Sequence, residues 1–144
     1  MMKSWVIAIA CMAVAVAPAS AQEAEVGEAY LAQLTRMWAQ DATRDDVAEL
    51  GPLLSVDATY AHPRVGAEIS GRDAIVGAMG SFLGATREPR LTNAEFVVGE
   101  GIVVIGFDVA METNGSDGWR PIQRRQVIVL RVVDGLIVRI EDYW

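Results

Sequence analysis

The stretch that decides the fold is QRRQVIVLRVVDGLIVRIEDYW, residues 123–144. It contains two β-prone runs, 123–133 and 136–144, on either side of Asp134-Gly135. An Asp-Gly pair between such runs is typical of the two-residue primed turn that joins antiparallel strands. The stretch therefore predicts a β-hairpin that closes the chain.

Two further strands are predicted upstream of this hairpin. Residues 96–98 and 102–113 are rich in Val, Ile and Phe, and the Gly-Glu-Gly turn at 99–101 separates them. Residues 114–118, Asn-Gly-Ser-Asp-Gly, have the composition of a hairpin loop. The second half of the chain therefore predicts a four-stranded antiparallel meander.

Two helices are predicted near the start of the folded part. Residues 23–40 carry Leu31, Leu34 and Trp38 at three- and four-residue intervals, as one face of an amphipathic helix does. A polar break follows, and Thr43 is placed to cap a second, short helix.

A strand, a loop and a third helix are expected next. Residues 58–62 are β-prone and Pro63 ends them, so 64–70 should be a loop. Ser70 can cap the third helix, with Asp73 completing a capping box. This order of elements predicts an α+β fold, in which N-terminal helices pack on one face of a curved antiparallel sheet.

The first 21 residues predict a secretory signal peptide. Lys3 supplies the positive start, residues 5–17 are an uncharged apolar run, and Ala19-Ser20-Ala21 has the small-x-small pattern of a cleavage site. The apolar run is shorter than the about 20 residues that span a membrane. We therefore expect export, periplasmic or secreted, after cleavage near Ala21, and a single domain over residues 22–144.

Charge and cysteine content exclude several classes of protein. The formal net charge is −7, and the only cysteine, Cys11, lies in the predicted leader. An acidic surface repels phosphate backbones, so a nucleic-acid partner is not expected. With one histidine and no cysteine after residue 21, the sequence predicts neither a metal site nor a cofactor. We expect no membrane attachment after the leader is removed.

Four segments carry a resemblance to a known family. They are Asp-Ala-Thr-Tyr-Ala-His-Pro at 57–63, Gly-Arg-Asp-Ala-Ile at 71–75, Val-Asp-Gly-Leu-Ile at 133–137 and Ile-Glu-Asp-Tyr-Trp at 140–144. In this order the chain resembles the nuclear-transport-factor-2-like, or SnoaL-like, superfamily. The resemblance implies a cone-shaped sheet closed at one end by helices. Members include steroid isomerases, polyketide cyclases, epoxide hydrolases, dehydratases and non-catalytic binders, so the fold alone does not select a function.

The strand at 58–62 supplies two candidate site residues. Tyr60 and His62 are two apart and therefore share one face of the strand. His62 is the only histidine, and an imidazole can carry protons near neutral pH. The alternative is a structural histidine that ends a strand before a proline.

Asp108 is a third candidate, because it interrupts an apolar strand. A buried carboxylate there would need a partner. Gly106 shares its face and would leave open space beside it. The alternative is an aspartate that faces water on the outer side of the sheet.

Asp142 is the fourth candidate. It shares a face with Ile140 and Trp144, which suggests that it points inward, where burial would raise the pKa of its carboxyl group. Such a group could be a general acid or base. The alternative is a structural salt bridge to Arg124 or Arg125.

Two subfamilies of this superfamily carry their functional residues at different positions of the fold. Steroid isomerases carry their functional residues where this chain has Trp38, His62 and Ile128, so the resemblance does not support their machinery.

Limonene-epoxide-hydrolase-like members resemble the chain more closely. Tyr60, Asp108 and Asp142 match their site residues, whereas His62 replaces an asparagine and Gly106 replaces an arginine. Two carboxyl groups could activate a water and protonate a leaving oxygen.

The sequence thus predicts a cone that holds a small, mostly apolar molecule, with acid–base chemistry of a hydrolase, isomerase or dehydratase type at Tyr60, His62, Asp108 and Asp142. Two alternatives stay open: a non-catalytic ligand-binding protein, and a protein-interaction module that uses its outer sheet face in a homodimer or a hetero-complex. The remaining ligand-binding residues are expected to be Trp38, Met79, Phe82, Gln126, Ile128, Ile140 and Trp144.

Overall fold

The computed structural model describes residues 19–144. The predicted leader lies outside the described residues except for Ala19, Ser20 and Ala21, which belong to the first helix. Within the described part, no helix is both long and apolar enough to cross a membrane.

Three helices and six strands make up this part of the chain. The helices are α1 (Ala19–Trp38), α2 (Arg44–Ala48) and α3 (Arg72–Gly80), and a single 3-10 turn covers Gly51–Leu53. The strands are β1 (Leu54–His62), β2 (Ala67–Ser70), β3 (Thr86–Gly99), β4 (Ile102–Gly115), β5 (Gly118–Val133) and β6 (Leu136–Tyr143).

The six strands form one sheet in the order β2-β1-β6-β5-β4-β3. The last four strands form the predicted antiparallel meander, with β5 between β4 and β6. The exception to antiparallel pairing is β1 against β6, which run parallel, so the sheet is mixed. This parallel pair places Tyr60 opposite Ile140, and the next pair places Ile128 opposite Asp142.

The helices pack on one face of this curved sheet, as the α+β prediction required. Tyr30 and Leu34 of α1 are buried against the inward residues of β4, among them Val103 and Ile105. Gly27 allows the close approach, because a Cβ atom there would lie 2.8 Å from the Val103 side chain. The core therefore lies between α1 and the concave face, and the site occupies one end of it.

Local predictions were confirmed where a turn or cap has a specific chemistry. Asp134 and Gly135 have φ angles of 50° and 76°, the two positive values that a primed turn needs. Thr43 caps α2, and Asp46 completes a capping box.

Two local predictions were wrong. Ser70 does not cap α3: it pairs with Thr59 in a short strand, and Gly71 is the capping residue, without a side-chain bond. The segment expected as a loop thus contains β2, because it returns beside β1 as a hairpin. Gly71 has φ of 96°, a conformation that glycine adopts without strain.

Candidate functional site

A cavity of about 210 Å³ opens at the end of the cone, between the helices and the concave face of the sheet. Its wall combines apolar side chains with a small polar group of residues. The lining residues are Leu34, Trp38, Tyr60, His62, Met79, Phe82, Thr86, Met111, Thr113, Ile122, Arg124, Gln126, Asp142 and Trp144.

Asp142 is the buried carboxyl group of this wall, with 5 % of its surface exposed. Gln126 Nε2 donates to its Oδ1 at 2.7 Å, and the Tyr60 hydroxyl donates to its Oδ2 at 2.8 Å. Burial raises the pKa of Asp142, while these two hydrogen bonds and the nearby His62 and Arg124 act in the opposite direction. Burial is the largest of these effects, so the net shift of the pKa of Asp142 is upward.

Tyr60 links this carboxyl group to the histidine. Its hydroxyl oxygen lies 3.0 Å from His62 Nε2, in addition to its bond to Asp142. Burial raises the pKa of Tyr60 well above its ordinary value, and the neighbouring Asp142 adds to the effect. The phenol thus stays protonated and can pass a proton on only when it receives another.

His62 completes the chain of contacts. Its Nδ1 lies 3.2 Å from the main-chain carbonyl oxygen of Asp142. The ring also packs edge-on against Trp144, with centroids 5.5 Å apart. Because a carbonyl oxygen only accepts hydrogen bonds, Nδ1 carries a proton whenever this bond is formed.

Two arrangements of hydrogens satisfy these same heavy-atom positions. In the first, an ionised Asp142 accepts from Tyr60, whose oxygen accepts from a cationic His62. In the second, a protonated Asp142 donates to Tyr60, which donates to Nε2 of a neutral His62. Both contain the same number of protons, so Tyr60 can transfer a proton between Asp142 and His62 without movement of the chain.

Arg124 is the cationic residue of the cavity wall. Its guanidinium carbon lies 4.5 Å from the centre of the Trp144 ring, within the range of a cation–π contact. The side chain is half-buried, and this burial lowers its pKa. Its Nε is buried without a hydrogen-bond partner.

The apolar residues that line the cavity agree in part with the ligand-binding residues predicted from the sequence. Trp38, Met79 and Phe82 line the cavity as expected, together with the half-exposed Trp144. Ile128 and Ile140, expected to contact a ligand, are instead fully buried in the core and do not line the cavity. Both belong to the hydrophobic core cluster, which covers them completely.

The grouping of Asp108 with the other three polar residues is corrected. Asp108 lies on the outer face of β4, where it accepts hydrogen bonds from Asn93 and Arg125. These bonds lower the pKa of its carboxyl group. The space expected beside Gly106 is occupied by Arg125, since a Cβ atom there would lie 2.8 Å from its Nη2.

Some lining residues were not singled out from the sequence. The sequence offers Arg124 as a candidate ion-pair partner of Asp142, yet it lies two residues before Gln126 and therefore on the same face of β5, which is a signal for a lining residue. Within residues 19–144, no cluster of three or more His, Cys, Asp or Glu side chains could hold a metal ion. The other unexpected lining residues are Leu34, Thr86, Met111, Thr113 and Ile122.

The helices on a curved six-stranded sheet, with a cavity at one end, define the α+β cone of the nuclear-transport-factor-2-like proteins. The family model of the SnoaL-like domain matches residues 34–140. The chain therefore belongs to the SnoaL-like domain family. No curated protein matches the sequence at a significant level.

Solved structures with the same fold come from several bacteria. A candidate polyketide cyclase from Xanthomonas campestris pv. campestris superposes with a TM-score of 0.72 at 15 % identity, over 88 % of this chain and 93 % of that one. An LEH-like epoxide hydrolase from M. tuberculosis gives 0.67 at 18 % identity, over 88 % and 84 %.

A third similar structure carries a bound molecule. It is a protein with a ketosteroid isomerase-like fold from Catenulispora acidiphila, in complex with trimethylamine. It superposes with a TM-score of 0.64 at 21 % identity, over 83 % of this chain and 85 % of that one. At such identities these likenesses concern the fold alone.

Proposed function

We propose that this chain is an exported SnoaL-like protein that binds a small, mostly apolar molecule in its cone and acts on it by acid–base chemistry. The single observation that carries the proposal is the buried Asp142 carboxyl, joined through Tyr60 to His62 at the wall of the cavity. A carboxyl group of raised pKa in a concave, mainly apolar site is a candidate general acid or base.

The chain of contacts supplies both halves of such chemistry. When His62 is neutral, its Nε2 can take the Tyr60 hydroxyl proton while the Tyr60 oxygen takes a proton from a bound molecule. The cationic His62 that results can return the proton through Tyr60 to another atom of the same molecule. Isomerisation, loss of water and addition of water all need this pair of steps.

The position of Asp108 outside the cavity argues against a mechanism that uses two carboxyl groups. Water activation by two facing carboxyl groups needs both at one site, whereas Asp108 lies outside the cone with Arg125. We therefore favour proton transfer through Asp142, Tyr60 and His62 over the two-carboxylate route of limonene-epoxide-hydrolase-like members.

A non-catalytic ligand-binding protein is the second candidate. The observation in its favour is that both Asp142 oxygens already accept hydrogen bonds, from Tyr60 and Gln126. A hydrogen-bond network whose acceptors are already paired without a ligand can have a purely structural role. The titration of the network separates the two candidates.

The test is a pH titration by NMR of the His62 ring and the Asp142 carboxyl group on residues 22–144. We expect two macroscopic steps that both residues report, because the two groups share one proton through Tyr60. Tyr60→Phe should separate them into independent steps. Independent titrations in the wild-type protein would contradict the acid–base proposal and leave the ligand-binding one.

Export is part of the proposal and rests on residues 1–21 alone. Cell fractionation of the full chain, followed by mass measurement of the processed product, tests it. We expect a product that begins at Gln22 outside the cytoplasm, and a cytoplasmic product when residues 2–21 are deleted. An unprocessed wild-type chain in the cytoplasm would contradict export.

Homodimer formation also stays a prediction, for analytical ultracentrifugation to test.

A further inference from the structure

Arg124 and Arg125 are neighbours in sequence but have opposite surroundings. Arg125 lies on the outer face and forms ion pairs with Glu95 and Asp108. Arg124 lines the cavity and has no carboxylate within salt-bridge distance among residues 19–144. Its Nε is one of two buried side-chain polar atoms without a partner in this part of the chain, the other being Glu23 Oε2. A buried donor left without an acceptor lowers the stability of the fold, and other interactions must offset this cost.

The guanidinium group is held in place without being neutralised. The Trp144 ring stacks on it, and its single polar contact with residues 19–144 is a long one of 3.5 Å from Nη2 to Gln126 Oε1. Stacking fixes the plane of the group and leaves Nη1 available, whereas Nε has almost no accessible surface. The cation is thus oriented at the cavity wall before any ligand arrives.

The charge balance of the cavity points the same way. In both hydrogen arrangements described for Asp142, Tyr60 and His62, the charges of Asp142 and His62 sum to zero. Both Asp142 oxygens are occupied by Tyr60 and Gln126, and neither forms an ion pair with Arg124. In those two arrangements Arg124 leaves the cavity wall with one net positive charge, inside a chain whose formal net charge is −7.

We infer that Arg124 binds a carboxylate group of the ligand, so that the molecule held in the cone is a small carboxylic acid with an apolar body. The planar fork of N–H donors matches the two oxygens of a carboxylate. The apolar body would pack against Trp38, Met79 and Phe82. This inference rests on the proposed pocket but not on the proposed chemistry. At about 210 Å³ the cavity suits a molecule with one ring.

The experiment compares an acid with its neutral analogue. Cyclohexanecarboxylate and cyclohexanecarboxamide have nearly the same shape and differ in charge. Their binding to residues 22–144 is measured by titration calorimetry and by the NMR signals of the arginine Nε–H groups. We expect the carboxylate to bind about tenfold tighter or more, since a hydrogen bond to a charged group contributes about 1.5–3 kcal/mol. The Arg124 Nε–H signal should shift when the carboxylate binds.

Three variants make the comparison specific. Arg124→Gln should abolish the preference for the carboxylate while leaving carboxamide binding within about twofold, and Arg124→Lys should retain part of it. Arg125→Gln is the matched control on the outer face and should preserve the full preference. Thermal unfolding of each variant establishes that the fold is intact.

The outcomes separate this inference from the proposed function. Equal binding of acid and amide, or an unchanged preference in Arg124→Gln, overturns the carboxylate inference and leaves a pocket for neutral molecules. If neither compound changes the signals of any cavity residue, the pocket itself is contradicted and both proposals fail. A preference lost equally in Arg125→Gln also overturns the inference, because it would reflect overall charge.

Discussion

The Tyr60 hydroxyl donates a hydrogen bond to Asp142 Oδ2 at 2.8 Å, which joins two buried side chains 82 residues apart in the sequence. Their strands are neighbours in the sheet, because β1 pairs in parallel with β6 and places Tyr60 opposite Ile140. The contact therefore depends on a single strand pairing, and it couples the fold of the sheet to the protonation of the site.

Tyr60→Phe should raise the pKa of Asp142. The hydrogen bond from Tyr60 stabilises the ionised carboxylate and so lowers the pKa, and its removal leaves burial less opposed. The loss of a buried hydrogen bond should also lower the free energy of unfolding by about 1–3 kcal/mol. Carboxyl NMR of the two proteins measures the first effect and urea unfolding the second. An unchanged or lower pKa in the variant would show that the bond is weak in solution.

Asp142→Asn should change the pH dependence of stability. Burial raises the pKa of Asp142 above its ordinary value of 3.8, so the folded state favours the protonated form. This contribution is complete below the ordinary pKa and is lost as pH rises through the folded pKa. Asparagine does not ionise, and the Gln126 amide can turn to donate or accept as required.

Urea unfolding of the wild-type protein and Asp142→Asn across a pH series tests this. The stability of the variant relative to the wild-type protein should increase as pH rises above about 4. Parallel curves would mean that Asp142 has no raised pKa. If the acid–base proposal is right, the same variant should lose activity while remaining folded.

Asp108→Asn should leave ligand binding and any activity unchanged. The carboxyl group lies on the outer face, half-exposed, with Arg125 and Asn93 as its partners. Because those partners lower the pKa of Asp108, its small contribution to stability is present at neutral pH and disappears on acidification. A binding assay and thermal unfolding at neutral pH measure the two effects. Loss of ligand binding in Asp108→Asn would show that Asp108 does contribute to the site.

Phe82→Ala should weaken ligand binding with little effect on the fold. Phe82 lines the cavity but is 58 % exposed, so the folded protein buries only part of its ring. A ligand that covers the rest should lose about 1 kcal/mol, or about fivefold in affinity. Val97→Ala is a control at an exposed apolar residue away from the cavity. Equal effects of the two substitutions on binding would remove Phe82 from the ligand-binding wall.

The inward direction of Asp142 could be predicted because apolar residues share its face. Ile140 precedes it by two positions and is fully buried. Tyr60 and His62 follow the same two-residue period on β1, and the structure brings both to Asp142. Alternation along a strand is a local property, so one sequence suffices to predict it.

The direction of Asp108 could not be predicted in the same way. Both faces of β4 carry apolar residues, since Val103 and Ile105 point inward and Val104 lies on the same side as Asp108. Alternation then states which residues share a face but not which face is buried. The deciding contact, Arg125 across Gly106, comes from a different strand.

No short sequence pattern predicts the parallel pairing of β1 with β6. Antiparallel neighbours are joined by recognisable turns such as Asp134-Gly135, whereas β1 and β6 lie at opposite ends of the folded chain. The same pairing produces the site, so its assembly could be expected only through the family resemblance.

The central position of β6 has a consequence for biosynthesis. In the order β2-β1-β6-β5-β4-β3, the strand β6 is made after the other five and joins the two halves of the sheet. Until it is translated, β1 and β5 both present open edges, which can pair with other chains. A chaperone that holds the nascent chain would protect these edges. A chain cut after Val133 should aggregate, and a synthetic peptide of residues 134–144 added in trans should rescue it if β6 is what closes the sheet.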